Sequence, residues 1–120
     1  MTEGGSRIAA AGALLVALGV GLGAFGAHGL RAVLDAQALG WWNNAVQYHL
    51  WNGVGLVALG ALPRPLGLPA LLIGGGVLVF CGSLYAMALT GERWLGMVTP
   101  IGGVLMIAGW LTVAWRLKGR

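Results

Sequence analysis

Few side chains in this 120-residue chain are capable of chemistry, and they are unevenly placed. His28 sits among small residues in GAFGAHGL, Gly23–Leu30. Asn44, Gln47, Tyr48, His49 and Asn52 follow close together, Cys81, Ser83 and Tyr85 fall in FCGSLY, and Thr99 stands directly before Pro100. Two histidines and one cysteine fall short of a zinc site, which normally takes three or four protein ligands. His28 and His49 could supply the two axial ligands of a haem, with no other residue in support. A nucleophile at Ser83 or Cys81 needs a base within hydrogen-bond reach and a group to orient it. His49 is the available base, and no carboxylate lies in any apolar segment to orient it. The expectation is therefore a non-enzyme, with no metal and no cofactor. What remains is a polar cluster of His28, Gln47, Tyr48, His49, Asn52, Ser83, Tyr85 and Thr99. It serves either as hydrogen-bond glue between helices, at about 0.6 kcal/mol per bond, or as a small-solute, lipid or ion site in an apolar setting.

The elements that position these residues must be membrane helices. Hydrophobic residues make up 58% of the chain and charged ones 8%, against about 25% charged in a soluble domain, and mean hydropathy is +0.85. The net charge is +4, but the basic residues form no cluster beyond the Arg116, Lys118, Arg120 tail, and no nucleic-acid-binding pattern is present. Nucleic acid is thus not an expected partner, and the lone cysteine excludes an intrachain disulfide. A span needs about 20 apolar residues. Four segments meet this, at about Ile8–Ala27, Ala45–Leu62, Leu68–Leu89 and Leu95–Trp115, within a single domain covering 1–120. Thr99-Pro100 reads as a helix N-cap followed by proline at the first helical position, which leaves the start of the fourth helix at either Leu95 or Thr99. The first run exceeds the 7–15 apolar residues of a signal peptide and is expected to remain as a helix.

PRPLG and TGERW are tight connections, so the second and third, and the third and fourth, helices are antiparallel neighbours. Between the first and second, LRAVLDAQALGWW places Leu30, Val33, Leu34, Ala38 and Trp41 along one face and pairs Arg31 with Asp35. It predicts a short interfacial helix ending at Trp41 and Trp42. With four spans, Arg7, Arg64, Arg116, Lys118 and Arg120 share one side and Arg31 and Arg93 the other. The positive-inside rule then puts both termini in the cytoplasm of an inner-membrane protein, and the polar cluster falls within about 12 Å of the outer interface.

Glycine recurs in every span: Gly12, Gly19, Gly23 and Gly26, then Gly53 and Gly60, Gly75 and Gly82, Gly102 and Gly109. Small residues three, four or seven apart let helices approach in lipid. These positions, Gly26 apart, are the candidate packing set. GVGLGAFG has neither the preceding strand nor the following acidic residue of a dinucleotide site. ALLVALGVG and ALLIGGGVL echo each other weakly, which would relate the two halves as parallel repeats.

LGAFGAHGL, Trp42, AVQYH, VFCGSLYAMAL and TPIGGVLMIAGW together resemble domain-of-unknown-function family 423, small bacterial membrane proteins. The resemblance covers most of the chain and implies a four-helix membrane protein with no established activity. Family members read Tyr-Gln, two residues, then His in the second helix, whereas this chain has Tyr48, His49 and, in the family's histidine position, Asn52. A ligand displaced by three residues turns about 60° and moves nearly one helical turn, which argues against a ligand role. Serine, common in the family where Cys81 stands, argues against a catalytic cysteine. The expected fold is an all-α integral-membrane four-helix bundle with a short interfacial helix between helices 1 and 2. The expected function is packing or accessory work, through a membrane-protein partner or as a homo-oligomer in the lipid bilayer. The alternative is a small-solute transporter or lipid-binding protein using the polar cluster.

Overall fold

A computed structural model describes residues 2–119; Met1 and Arg120, the last basic residue of the tail, lie outside it. Thr2 caps the first helix, its hydroxyl accepting from Gly5 N–H at 2.8 Å, and α1 runs Glu3–His28. Seven residues after His28 the sequence offers a second cap. Asp35 Oδ1 accepts from Ala38 N–H at 2.8 Å and opens α2, Ala36–Gly60. This corrects the expected interfacial helix. Leu30–Leu34 forms turns, with Val33 and Leu34 N–H both donating to the Leu30 carbonyl, while Ala36–Trp42 are simply the first turns of α2. The Asp35 carboxylate faces the helix end rather than Arg31, because orphan N–H groups there offer it a fixed partner.

α3 spans Gly67–Thr90, with Pro69 in its first turn, and stops at Gly91, whose φ of 75° only glycine adopts at little cost. A 3-10 turn, Arg93–Met97, leads into α4, Thr99–Lys118. Thr99 is not the cap: Val98 occupies that position, and the Thr99 hydroxyl reaches the Leu95 carbonyl at 3.3 Å instead. Among the described residues, three helical stretches, Glu3–His28, Gly67–Thr90 and Arg93–Lys118, are long and apolar enough to cross a membrane. The 25-residue α2 falls short of that composition because Gln37, Asn43, Asn44, Gln47, His49 and Asn52 crowd its first two thirds.

The helices run up and down in chain order, α1 on α2, α2 on α3 and α3 on α4. The four buried residues of α1 are Gly5, Gly12, Gly19 and Gly26, one every seven positions. Gly5 lies against Gly60, Gly12 against Gly53, Gly19 against Leu50 and His49, and Gly26 against Trp42. A strict seven-residue repeat is the period of left-handed helix pairing. The approach is close: a Cβ on Gly12 would stand 2.6 Å from the Gly53 carbonyl oxygen. Gly23 has a looser neighbour, Val46, at 3.2 Å. On the other side Gly102 faces Gly76 and Phe80, and Gly109 faces Ile73 and Pro69. Gly75 and Gly82, expected on a packing face, have open space where a Cβ would be. The face one residue on, Gly76 and Ser83, meets α4 instead.

The bundle does not close. α1 touches α3 only marginally and does not reach α4. Two grooves result on opposite flanks. One lies between α2 and α4 above Phe80 of α3; the other lies between α1 and α3 above Leu56 of α2. Thr2 and Lys118 lie at the same end, since Gly5 packs on Gly60 and Arg64 donates to the Arg116 carbonyl at 2.9 Å.

Candidate functional site: cross-helix polar links

The candidate cluster resolves into separate links rather than one site. His49 is 4% exposed and lies midway along α2, about 20 Å from Ala36. The sequence places it near a helix end, with a span beginning at Ala45, nine residues after the observed start of α2. Its Nδ1 meets the Tyr85 hydroxyl at 2.9 Å. With the hydroxyl donating, Nε2 carries the proton. Nε2 is buried without a hydrogen-bond partner among the described residues, with the ring lying against Gly19 of α1. Tyr85 stacks obliquely on Trp42, ring centroids 4.6 Å apart, and Trp42 Nε1 donates to the Leu22 carbonyl at 2.9 Å. This chain of contacts joins α1, α2 and α3.

Asn52 serves the other flank. Its Nδ2 donates to the Tyr48 carbonyl and its Oδ1 accepts from Trp110 Nε1, both at 2.8 Å, tying α2 to α4. Ser83 and Thr99 share a hydroxyl–hydroxyl bond between α3 and α4, and each also reaches a carbonyl, Phe80 for Ser83 and Leu95 for Thr99. Two hydroxyl protons can serve that shared bond and one of the carbonyls at a time. Cys81 donates to the Ala45 carbonyl at 3.3 Å, linking α3 to α2. Tyr48 contributes through its ring, 4.6 Å from Phe80 and 5.4 Å from Trp51. His28 and Gln47 are exposed and join none of these links.

The geometry decides among the chemistries that the residue types allow. Ser83 pairs with Thr99 and Cys81 with a backbone carbonyl, so neither faces His49 as a nucleophile faces its base. His28 lies nine residues beyond Gly19, the level of His49, or about 13 Å along α1. That separation is too great for both to be axial ligands of one iron. Among the described residues, no three ligand-type side chains gather into a metal site.

Two participants, Trp42 and Trp110, are not evident from the sequence, which places Trp42 at headgroup depth and gives Trp110 no role. A signal existed for Trp110: a tryptophan far from its helix ends is outside the usual interfacial belt, and a buried indole N–H needs an acceptor.

These features define a small all-helical membrane protein with internally bonded polar residues. A family profile described as "Protein of unknown function (DUF423)" matches residues 22–103, and the chain belongs to that family. A UPF0382 membrane protein of Staphylococcus saprophyticus is 45% identical over 104 residues, covering 83% of this chain and 87% of its own. The UPF0382 membrane protein YwdK of Bacillus subtilis is 39% identical over 108 residues, covering 85% and 88%. A Haemophilus influenzae relative of the same description is 40% identical over 102 residues, covering 80% and 81%. No solved structure matches the chain. The family is one of uncharacterised membrane proteins, and its members' names assign no specific activity.

Proposed function

We propose that this chain is a multi-pass inner-membrane protein that works by packing, without catalysis, as an accessory to another membrane protein or in a homo-oligomer. The observation that carries this reading is where the buried polar atoms point. Asn52, Ser83, Thr99, Cys81, Trp42 and Tyr85 all bond to other helices, so their polarity is directed into the fold. Long apolar faces point the other way, through Leu14 and Leu18 on α1 and Val104, Ile107 and Leu111 on α4. α2 crosses beside its neighbours because it pairs with α1 from Gly60 to Trp42. Both termini lie in the cytoplasm: Arg7, Arg64, Arg116 and Lys118 gather at one end against Arg31 and Arg93 at the other. The turns Leu30–Leu34, Trp41 and the Arg93–Met97 turn then lie at the outer interface.

The experiment is native mass spectrometry of the protein released gently from its own membrane, with a visible absorption spectrum of the same sample. The reading expects an oligomer or a bound partner chain without a chromophore. A bare monomer carrying a retained solute or chromophore would overturn it. The second reading, a small-solute or lipid site, has one observation in its favour, the aromatic groove of about 700 Å³ between α2 and α4 where Tyr48, Asn52 and Trp110 meet. Alanine at Tyr48, His49, Asn52, Ser83 and Tyr85 separates the two. Packing predicts loss of thermal stability at His49, Asn52 and Ser83; a site predicts loss of a ligand with the fold intact.

A further inference from the structure

The groove on the opposite flank has a different character. It holds about 610 Å³ and is lined by Leu14, Leu15 and Leu18 of α1, Leu56 of α2, and Leu71 and Leu78 of α3. Its hollow is made by Gly74 and Gly75, which have open space where a Cβ would be. The lining is apolar along its length, and at one mouth stands Arg7 beside Gly67, the first residue of α3. α3 begins without a side-chain cap and without an acidic residue in its first turn, so its positive end adds to the field there. Two other arginines of that end are engaged, Arg64 with the Arg116 carbonyl and Arg116 with the Pro65 carbonyl. Among the described residues Arg7 pairs only with Glu3, 3.4 Å away with both side chains exposed, a pair that water screens heavily.

The dimensions are those of one leaflet. Arg7 to Leu18 on α1, and Gly67 to Leu78 on the parallel α3, each span about 16 Å, and half of a hydrocarbon core is about 15 Å. An apolar trough one leaflet deep, open sideways and basic at the headgroup level, is complementary to one amphiphile with a negative head.

We propose that the α1–α3 groove is a binding site for one anionic phospholipid of the cytoplasmic leaflet, an acyl chain lying along Gly74 and Gly75 and the phosphate at Arg7. The site uses none of the polar links described above; it takes the cytoplasmic leaflet from the orientation proposed above and shares Leu14 and Leu18 with the outward face of α1 in that reading. A seated chain would fill the gap that the open bundle leaves between α1 and α3.

The test uses the full chain in a neutral detergent, titrated with phosphatidylglycerol or with phosphatidylcholine of the same acyl chains, and counts bound lipid by native mass spectrometry. One phosphatidylglycerol per chain is expected to bind about fivefold more tightly than phosphatidylcholine, the equivalent of about 1 kcal/mol from one basic side chain near anionic headgroups. Arg7→Gln, at an exposed site, removes the preference and leaves weak binding of both lipids. Gly75→Leu fills the trough and abolishes the single adduct, while Gly103→Leu in the other groove leaves it in place. Circular dichroism and melting confirm that each variant folds. Equal, statistically distributed adducts of both lipids, or an unchanged adduct in Gly75→Leu, would overturn the proposal. So would a dimer that Gly75→Leu dissociates, which would assign the groove to a second copy.

Discussion

At residue scale, the informative pair is Asn52 and Trp110. Asn52 Oδ1 is the acceptor for Trp110 Nε1 across a gap where α2 and α4 have no close backbone approach. A hydrogen bond between membrane helices averages about 0.6 kcal/mol and reaches about 1.7. A double-mutant cycle of Asn52→Ala and Trp110→Phe should return a coupling in that range by reversible unfolding in mixed micelles. A coupling near zero would mean that the link does not stabilise the fold. His49 and Asn52 also show why their three-residue spacing matters. The first faces Tyr85 of α3 with α1 behind it, and the second faces α4. A histidine in the family's position would thus address a different helix from His49.

At element scale, glycine identity is less informative than the face it occupies. A Cβ at Gly12 would stand 2.6 Å from one backbone atom and 2.7 Å from another, neither of which can move aside like a side-chain tip. Gly12→Ala is therefore expected to cost about 1–3 kcal/mol, the range of overpacked sites. Gly82→Ala meets nothing within 4 Å and should be neutral or stabilise by up to about 1 kcal/mol through helix propensity. Thermal melts of the two variants side by side check the contrast; equal effects would refute the packing description of α1. Gly91→Ala, at a φ of 75°, should lower stability by about 1–2 kcal/mol.

Much of the helical layout was legible because apolar runs of membrane length carry a strong signal. Three places were not. The seven-residue spacing of Gly75 and Gly82 is the same as that of Gly76 and Ser83, and only the position of α4 selects between faces 100° apart. The start of α2 was hidden because residues 30–42 have helical periodicity throughout, although Asp35 was a recognisable cap. The division of the polar cluster into separate links depends on which helices touch. Sequence spacing on one helix cannot supply that.

At the scale of the whole molecule, the open arrangement distinguishes this fold from a closed four-helix bundle. Leu14 and Leu111 are exposed, on helices that do not meet, at similar levels. A disulfide requires Cα atoms within about 7 Å. Leu14→Cys with Leu111→Cys, in a Cys81→Ser background, should therefore form no intrachain cross-link on oxidation in membranes. An efficient intrachain bond would show that α1 and α4 close on each other. Glycines meet across both hairpins, Gly5 and Gly12 of α1 against Gly60 and Gly53 of α2, and Gly102 of α4 against Gly76 of α3.

The thiol of Cys81 lies 2% exposed against the Ala45 carbonyl, in the seam between the α1–α2 and α3–α4 hairpins. As the chain's one cysteine, it makes the unaltered protein its own stopwatch. A membrane-permeant alkylating reagent can reach that sulfur only when the two hairpins part. The rate of labelling in living cells would then time how often the halves separate, with no introduced tag or dye.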